Sequence, residues 1–259
     1  MLELCTLASG SSGNAVLVFN ETTSLLIDAG ISAKRICDGL KQLGMEPAQL
    51  DAICITHSHS DHISGLRVLL KRVLCPIYAT EATGAVIARQ VEGAAGRLHT
   101  LRPQEPICFG SLRVQAFSTP HDAPGSVGYT ISDGERKCSV VTDLGFVTEE
   151  VRQSIYGSQL ALVEANHDVD WLKSGAYPPY LKRRILGDGG HLSNEDSGEL
   201  CCELAEHGTK KLVLAHLSQE NNTPERARSV VCSMLARRGF DQVSVTVAPR
   251  QMCCQPIEV

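Results

Sequence analysis

The apolar and polar positions of the chain alternate in short segments, each closed by glycine, proline or a polar cluster. Apolar, β-branched runs predict strands at 2–7, 14–20, 24–28, 51–56, 76–79, 112–118, 127–132, 136–142, 160–164, 211–215 and 243–247. Residues 98–118 read as three short strands broken by Pro103, Pro106 and Gly110. Asp133-Gly134, between two of the runs, is a hairpin signal. Periodicity near that of a helix predicts helices at 32–43, 65–74, 81–91, 148–155, 178–186, 193–206 and 223–238. Ser32 and Ser193 stand where N-caps belong, Gly44 where the first helix stops, and Pro224 at a first helical position. Asp196 takes the place of the Glu or Gln of a capping box. Clusters of antiparallel strands followed by strand–helix alternation occur twice. That predicts an α/β chain with two similar halves, near 1–110 and 111–259, and two sheets packed face to face with helices outside fit it. No linker composition intervenes, so one domain is expected over 1–259.

Composition narrows the class. Of 259 residues, 43% are hydrophobic and 20% charged, which is ordinary for a globular chain with a sizeable core. Aromatic residues make up 4%, which argues against a surface built on base stacking. The net charge of −5 gives no global basic field, so any nucleic-acid contact must come from a local patch. The 11 cysteines are odd in number, lack a CxxC pair and fall in predicted strands and helices. They read as reduced thiols of a cytoplasmic protein. The N-terminus has neither a basic nor a long apolar signal region, and no run spans a bilayer, so no membrane association is expected. No obligate protein partner is evident.

One segment changes the picture. His57-Ser58-His59-Ser60-Asp61-His62 places four metal-ligand side chains within six positions, between a predicted buried strand and a predicted helix. Strand C-termini are where α/β sheets bind ligands, and imidazole with carboxylate suits a divalent ion such as Zn, Mn or Fe. The pattern HxHxDH after a buried strand resembles the signature of the metallo-β-lactamase superfamily. The resemblance implies an αββα sandwich of two mixed sheets with helices on the outer faces. It also implies three further ligands in order, at His121, Asp143 and His216. Taken alone, these residues read as a surface histidine, a turn-capping carboxylate and a buried core histidine. On the superfamily pattern His57, His59 and His121 hold one metal, Asp61, His62 and His216 the other, and Asp143 bridges the two. Asp28, in Leu26-Ile-Asp-Ala-Gly30, matches the first superfamily motif and is expected to orient the 57–62 loop.

Glu164 and His191 resemble the Glu–His pair beside the metals in nucleolytic members such as the tRNA 3′-processing enzymes, where the His serves the leaving oxygen or the phosphate. Catalysis would then rest on Asp61, Asp143, Glu164 and His191. A closer resemblance, to the WalJ/YycJ family, rests on ASGSSGN (8–14), THSHSDH (56–62), STPHDA (118–123), LVEANHD (162–168), GDGGHLSN (187–194) and LAHLSQENN (214–222). It implies a 5′→3′ DNA exonuclease with a role in genome maintenance, using two divalent metal ions, with DNA as partner. Within the 9–14 loop, Ser11, Ser12 and Asn14 are phosphate-binding candidates, since such a turn can present N–H groups to an anion; an ordinary turn reads equally well. Lys182-Arg183-Arg184 tracks a DNA backbone or simply forms a solvated helix face. Three alternatives stand beside the nuclease: a small-molecule hydrolase of the same fold (cyclic phosphodiesterase, thioesterase or lactamase-like), a flavin-linked diiron domain, which the complete ligand set disfavours, and a non-catalytic metal-stabilised binding module.

Overall fold

The computed structural model describes residues 1–259. Its strands are β1 (Glu3–Ala8), β2 (Ala15–Phe19), β3 (Ser24–Ile27), β4 (Ala52–Cys54), β5 (Ile77–Ala79), β6 (Leu98–Thr100), β7 (Ile107–Phe109), β8 (Leu112–Ser118), β9 (Val127–Ser132), β10 (Lys137–Val141), β11 (Leu160–Glu164), β12 (Lys211–Ala215), β13 (Ser244–Val247) and β14 (Ile257–Glu258). Its helices are α1 (Ala33–Gln42), α2 (Ser60–Ile63), α3 (Leu66–Leu69), α4 (Glu81–Gln90), α5 (Glu149–Ile155), α6 (Val169–Ser174), α7 (Pro179–Ile185), α8 (Asn194–Glu206) and α9 (Pro224–Arg237). No helix is long and apolar enough to cross a membrane.

Two seven-stranded sheets form. One runs β14-β1-β2-β3-β4-β5-β6 and the other β13-β12-β11-β10-β9-β8-β7. In each, an antiparallel meander leads into parallel strands: β3 to β6 in the first sheet and β10 to β13 in the second. The exchange between halves falls between β6 and β7, and β14 crosses back to pair with β1.

Three layers of core explain why the strands are apolar on both faces. Leu4, Val16, Val18, Leu25, Leu160, Leu162 and Val213 point into the space between the sheets. Their neighbours Cys5, Leu17 and Leu26 point outward, against α1, α3 and α4. Ala161, Val163, Leu212 and Leu214 do the same against α5, α8 and α9. Alternate side chains of a strand face opposite ways, so a strand covered on both sides must be apolar throughout. The result is an αββα sandwich.

Several local expectations shift. The helix expected at 65–74 starts earlier and is broken. α2 begins inside the histidine motif with His59 as N-cap, and α3 is only one turn long. Gly65 is the break: its N–H donates to the Ala29 carbonyl, and a Cβ there would lie 1.9 Å from the Ile31 carbonyl oxygen. The chain passes too close to the 29–31 segment for a continuous helix. α6, absent from the sequence expectation, is capped by Asp168, whose side chain accepts from the Trp171 N–H. Ser193 and Asp196 do form a reciprocal capping box, the shorter aspartate serving in place of glutamate.

Candidate metal centre

The expected metal ligands, with Asp28 and Glu164, sit at strand C-termini along one edge of the sandwich, and His191 joins them from the loop between α7 and α8. Asp28 follows β3, the 57–62 segment follows β4, and His121, Asp143 and His216 follow β8, β10 and β12; Glu164 ends β11 itself. β8 and β10 are each antiparallel to β9, so they finish on the same edge. Asp28, Asp143 and His216 have left-handed backbones, with φ of 63°, 61° and 55°. A non-glycine residue rarely adopts that region, and the cost is tolerated only where the surroundings hold it. Each marks an abrupt turn that aims a side chain back across the strand ends.

The backbone of this edge is stitched within each half and, through Ser9 and His216, across them. Asn14 and Ala29 N–H groups donate to the Asp61 and His62 carbonyls at 2.8 Å. Gly30 is required for this approach, since a Cβ would lie 1.6 Å from the Asp61 carbonyl oxygen. The Ser9 hydroxyl accepts from the His216 N–H at 2.9 Å, and Asn166 Nδ2 donates to the His216 carbonyl at 2.9 Å.

Hydrogen bonds select which imidazole nitrogen faces inward. Asp28 accepts from the Thr56 N–H and hydroxyl, both at 2.8 Å, and from His62 Nδ1 at 2.7 Å. With its hydroxyl proton given to Asp28, Thr56 accepts from His57 Nδ1 at 3.1 Å. His121 Nδ1 donates to the Gly190 carbonyl at 3.1 Å. His57, His62 and His121 therefore turn Nε2 into the site. His57 Nε2 lies 3.1 Å from His59 Nδ1, which is 3.3 Å from His121 Nε2. His62 Nε2 is 3.4 Å from both Asp61 Oδ2 and Asp143 Oδ2, and His216 Nε2 is 3.3 Å from Asp143 Oδ1.

Three groups of potential donors result: His57 with His59 and His121; Asp61 with His62 and His216; and His57 with His62 and Asp143. Within each, the donor atoms lie within 4.8 Å of one another. Their chemistry fits a divalent cation. Asp143 is buried, its ion-pair partners are all histidines, and its Oδ2 has no hydrogen-bond partner. A buried carboxylate without a strong counter-charge is costly. Burial pushes the His57, His59 and His121 pKa values down, leaving them neutral as ligands must be. Burial opposes charge on Asp61 and Asp143 too, but the surrounding histidines outweigh it and hold both carboxyls well below the usual range. On His62 the Asp143 and Asp28 carboxylates likewise outweigh burial and raise the pKa well above normal, so a cation taking its Nε2 would displace a proton there.

Beside these donors lies the Glu164–His191 pair. His191 Nδ1 donates to Glu164 Oε1 at 2.7 Å, and Glu164 Oε2 accepts from the Leu144 and Leu192 N–H groups at 3.2 Å. Burial works against a charged His191, but the Glu164 carboxylate outweighs it and raises the pKa to about 9. Glu164, His191, Asp143 and His216 form a fourth potential donor group.

The 9–14 loop divides. Both serines are exposed; Ser11 lines the pocket over the site and Ser12 does not. Asn14 is corrected from an open phosphate donor to a brace. It is buried, its side-chain carbonyl accepts from the Gly10 N–H at 3.0 Å, and its Nδ2 donates to the Gly10 carbonyl at 3.1 Å and lies 3.2 Å from His62 Nε2. Sequence reasoning missed Asp122, whose Oδ1 is 3.6 Å from His59 Nε2 and 3.5 Å from His121 Nε2. Its position next to His121 was the available signal. Asn166 and Ser218, which also line the pocket, fall inside the segments 162–168 and 214–222 that carry the family resemblance, whereas Tyr177 lies outside every such segment.

This fold and this edge of convergent imidazoles and carboxylates define a metallo-hydrolase scaffold. The chain belongs to the beta-lactamase superfamily, whose domain model matches residues 23–217. It is 37% identical over 244 residues to the exodeoxyribonuclease YycJ of Bacillus anthracis, covering 92% of this chain and 91% of that protein. It is 38% identical over 234 residues to the exodeoxyribonuclease WalJ of Streptococcus pneumoniae, covering 89% and 87%. Among solved structures, the metallo-beta-lactamase fold protein YhfI from Bacillus subtilis superposes with a TM-score of 0.75 at 18% identity, over 98% of this chain and 100% of that one.

Proposed function

We propose that the chain is a metal-dependent exodeoxyribonuclease acting from the 5′ end of DNA, with two divalent ions, Zn or Mn with Fe a third fit, and a role in genome maintenance. It is read as one domain, and its 11 free thiols suit a reducing cytoplasm. Its likeness to exodeoxyribonucleases over nine-tenths of the chain supports DNA as substrate. The observation that carries the reading is the Glu164–His191 pair set against Asp143, with His191 Nδ1 3.8 Å from Asp143 Oδ1.

His57, His59 and His121 would hold one ion, Asp61, His62 and His216 the other, and Asp143 would reach both. When bound, such ions supply Lewis-acid activation of water and positive charge against phosphate oxygens. The chain's own groups do the rest. Asp28 holds the His62 Nδ1 proton and so keeps Nε2 facing inward. Glu164 holds the Nδ1 proton of His191 and leaves Nε2 free to carry a second. Carrying that second proton, His191 gives it to the departing sugar oxygen, which leaves poorly as an alkoxide. Glu164 is pinned by two backbone N–H groups, so the imidazole it orients is fixed before substrate arrives.

A second reading, a small-molecule phosphodiesterase, is favoured by the size of the pocket, about 350 Å³. One experiment separates them: hydrolysis of 5′-phosphorylated duplex and single-stranded DNA with Mn²⁺ or Zn²⁺, beside RNA and a small phosphodiester. An Asp143→Ala protein controls for contaminating nuclease. Stepwise shortening from the 5′ end, lost in the control, is expected. Cleavage of the small ester alone would discard the DNA assignment.

A further inference from the structure

The basic triplet on α7 resolves into three different side chains. Lys182 Nζ donates to the carbonyls of Lys173 at 2.8 Å and Gly175 at 2.7 Å, so it clips α7 to the end of α6. Arg183 is exposed and lines no part of the pocket. Arg184 lines the pocket, and its Nε and Nη2 donate to the two oxygens of Asp122 at 2.5 and 3.2 Å. Asp122 in turn abuts His59 and His121. The guanidinium is thus held at the pocket beside the histidine donors, with N–H groups to spare beyond the two given to Asp122.

The pocket lining is asymmetric. Arg184 is its sole Lys or Arg, and all of its hydrophobic lining, Tyr177, Leu181 and Ile185, comes from the same short stretch. The remaining lining is polar, with the carboxylates Asp61 and Asp143 among the imidazoles His59, His191 and His216. One wall therefore offers a fixed cation next to an aromatic and aliphatic surface. That is the chemistry of a nucleotide, in which an anionic phosphate adjoins a flat apolar base.

We propose that the wall formed by 177–185 is a nucleotide-binding surface, on which Arg184 takes a phosphate of the strand and Tyr177, with Leu181 and Ile185, takes the adjoining base. The proposal deepens the nuclease reading above and rests on it. At about 350 Å³ the pocket lies at the small end of ligand sites, which run from about 300 to 1,000 Å³. That is room for one nucleotide against the 177–185 wall.

The test is equilibrium binding of a nuclease-resistant, 5′-phosphorylated phosphorothioate oligothymidylate to the metal-loaded protein across a KCl series. Arg184→Gln is expected to weaken binding about tenfold or more and to flatten the slope of log affinity against log salt by about 0.7, one phosphate contact on a single strand. Arg184→Lys recovers the slope. Tyr177→Ala weakens binding about fivefold or more and leaves the slope alone. Arg183→Gln, the same charge change on the same helix, stays near wild type. Arg184→Gln behaving like Arg183→Gln, or a wild-type protein that binds no oligonucleotide, would overturn the proposal. The ordinary phosphodiester oligonucleotide, run in parallel, separates the two readings. Arg184-dependent binding without shortening would sink the nuclease and keep the wall, and shortening with Arg184-independent binding would sink the wall alone.

Discussion

Asp28 shows how much one side chain can settle. It accepts three hydrogen bonds, two from Thr56 and one from His62, and thereby aims a buried imidazole. Asp28→Asn tests this cleanly, because asparagine tolerates the left-handed backbone that alanine would strain. The variant should fold and bind metal about 10- to 100-fold more weakly. Unchanged affinity in a metal titration would mean that His62 needs no such partner. His191 makes the opposite prediction: His191→Ala should keep its metal content while kcat falls by about 10²- to 10⁴-fold. A variant that loses metal along with activity would place His191 among the ligands, a role its membership of a donor group with Asp143 and His216 allows.

Among the elements, the join between 28–31 and α2 carries the most consequence. Gly30 packs against the Asp61 carbonyl with no room for a Cβ, and Gly65 lies as close to Ile31. The site is therefore held by backbone proximity as well as by side chains. Gly30→Ala should push α2 away, lowering metal content and costing about 1–3 kcal/mol in urea unfolding. Normal metal stoichiometry and stability would show that the junction yields without disturbing Asp61 and His62. On the far side, α7 is fastened by Lys182 to carbonyls of 173 and 175 and by Arg184 to Asp122. That fastening keeps the proposed nucleotide wall facing the donors.

Taken as a whole, the molecule closes its site from both sheets. Asp28 and 57–62 come from the first sheet; His121, Asp143 and His216 come from the second. An ion held between them binds the folded chain and not the unfolded one, so it stabilises the sandwich. At free metal a thousandfold above Kd the contribution is about 4 kcal/mol. Chelation should lower the thermal midpoint by about 10 °C and abolish activity, with both restored by Zn²⁺ or Mn²⁺. An unchanged midpoint after verified metal removal would mean that the halves are held by their core alone.

The sequence by itself determined every strand except β14 and most helices, because burial on both faces and caps such as Ser32 and Ser193 are written locally. It determined the 57–62 cluster by density alone, and the superfamily order placed His121, Asp143 and His216 beside it. Only the tertiary structure decided the rest. Asp122 and Arg184 are 62 positions apart, Ser9 and His216 207 apart, and nothing in either neighbourhood signals the partner. The break at Gly65, the brace at Asn14 and the split of the triplet at 182–184 likewise depend on what packs nearby. Periodicity reports which face of an element is covered. It does not report which loop from the other half covers it, and that choice sets the geometry of the pocket.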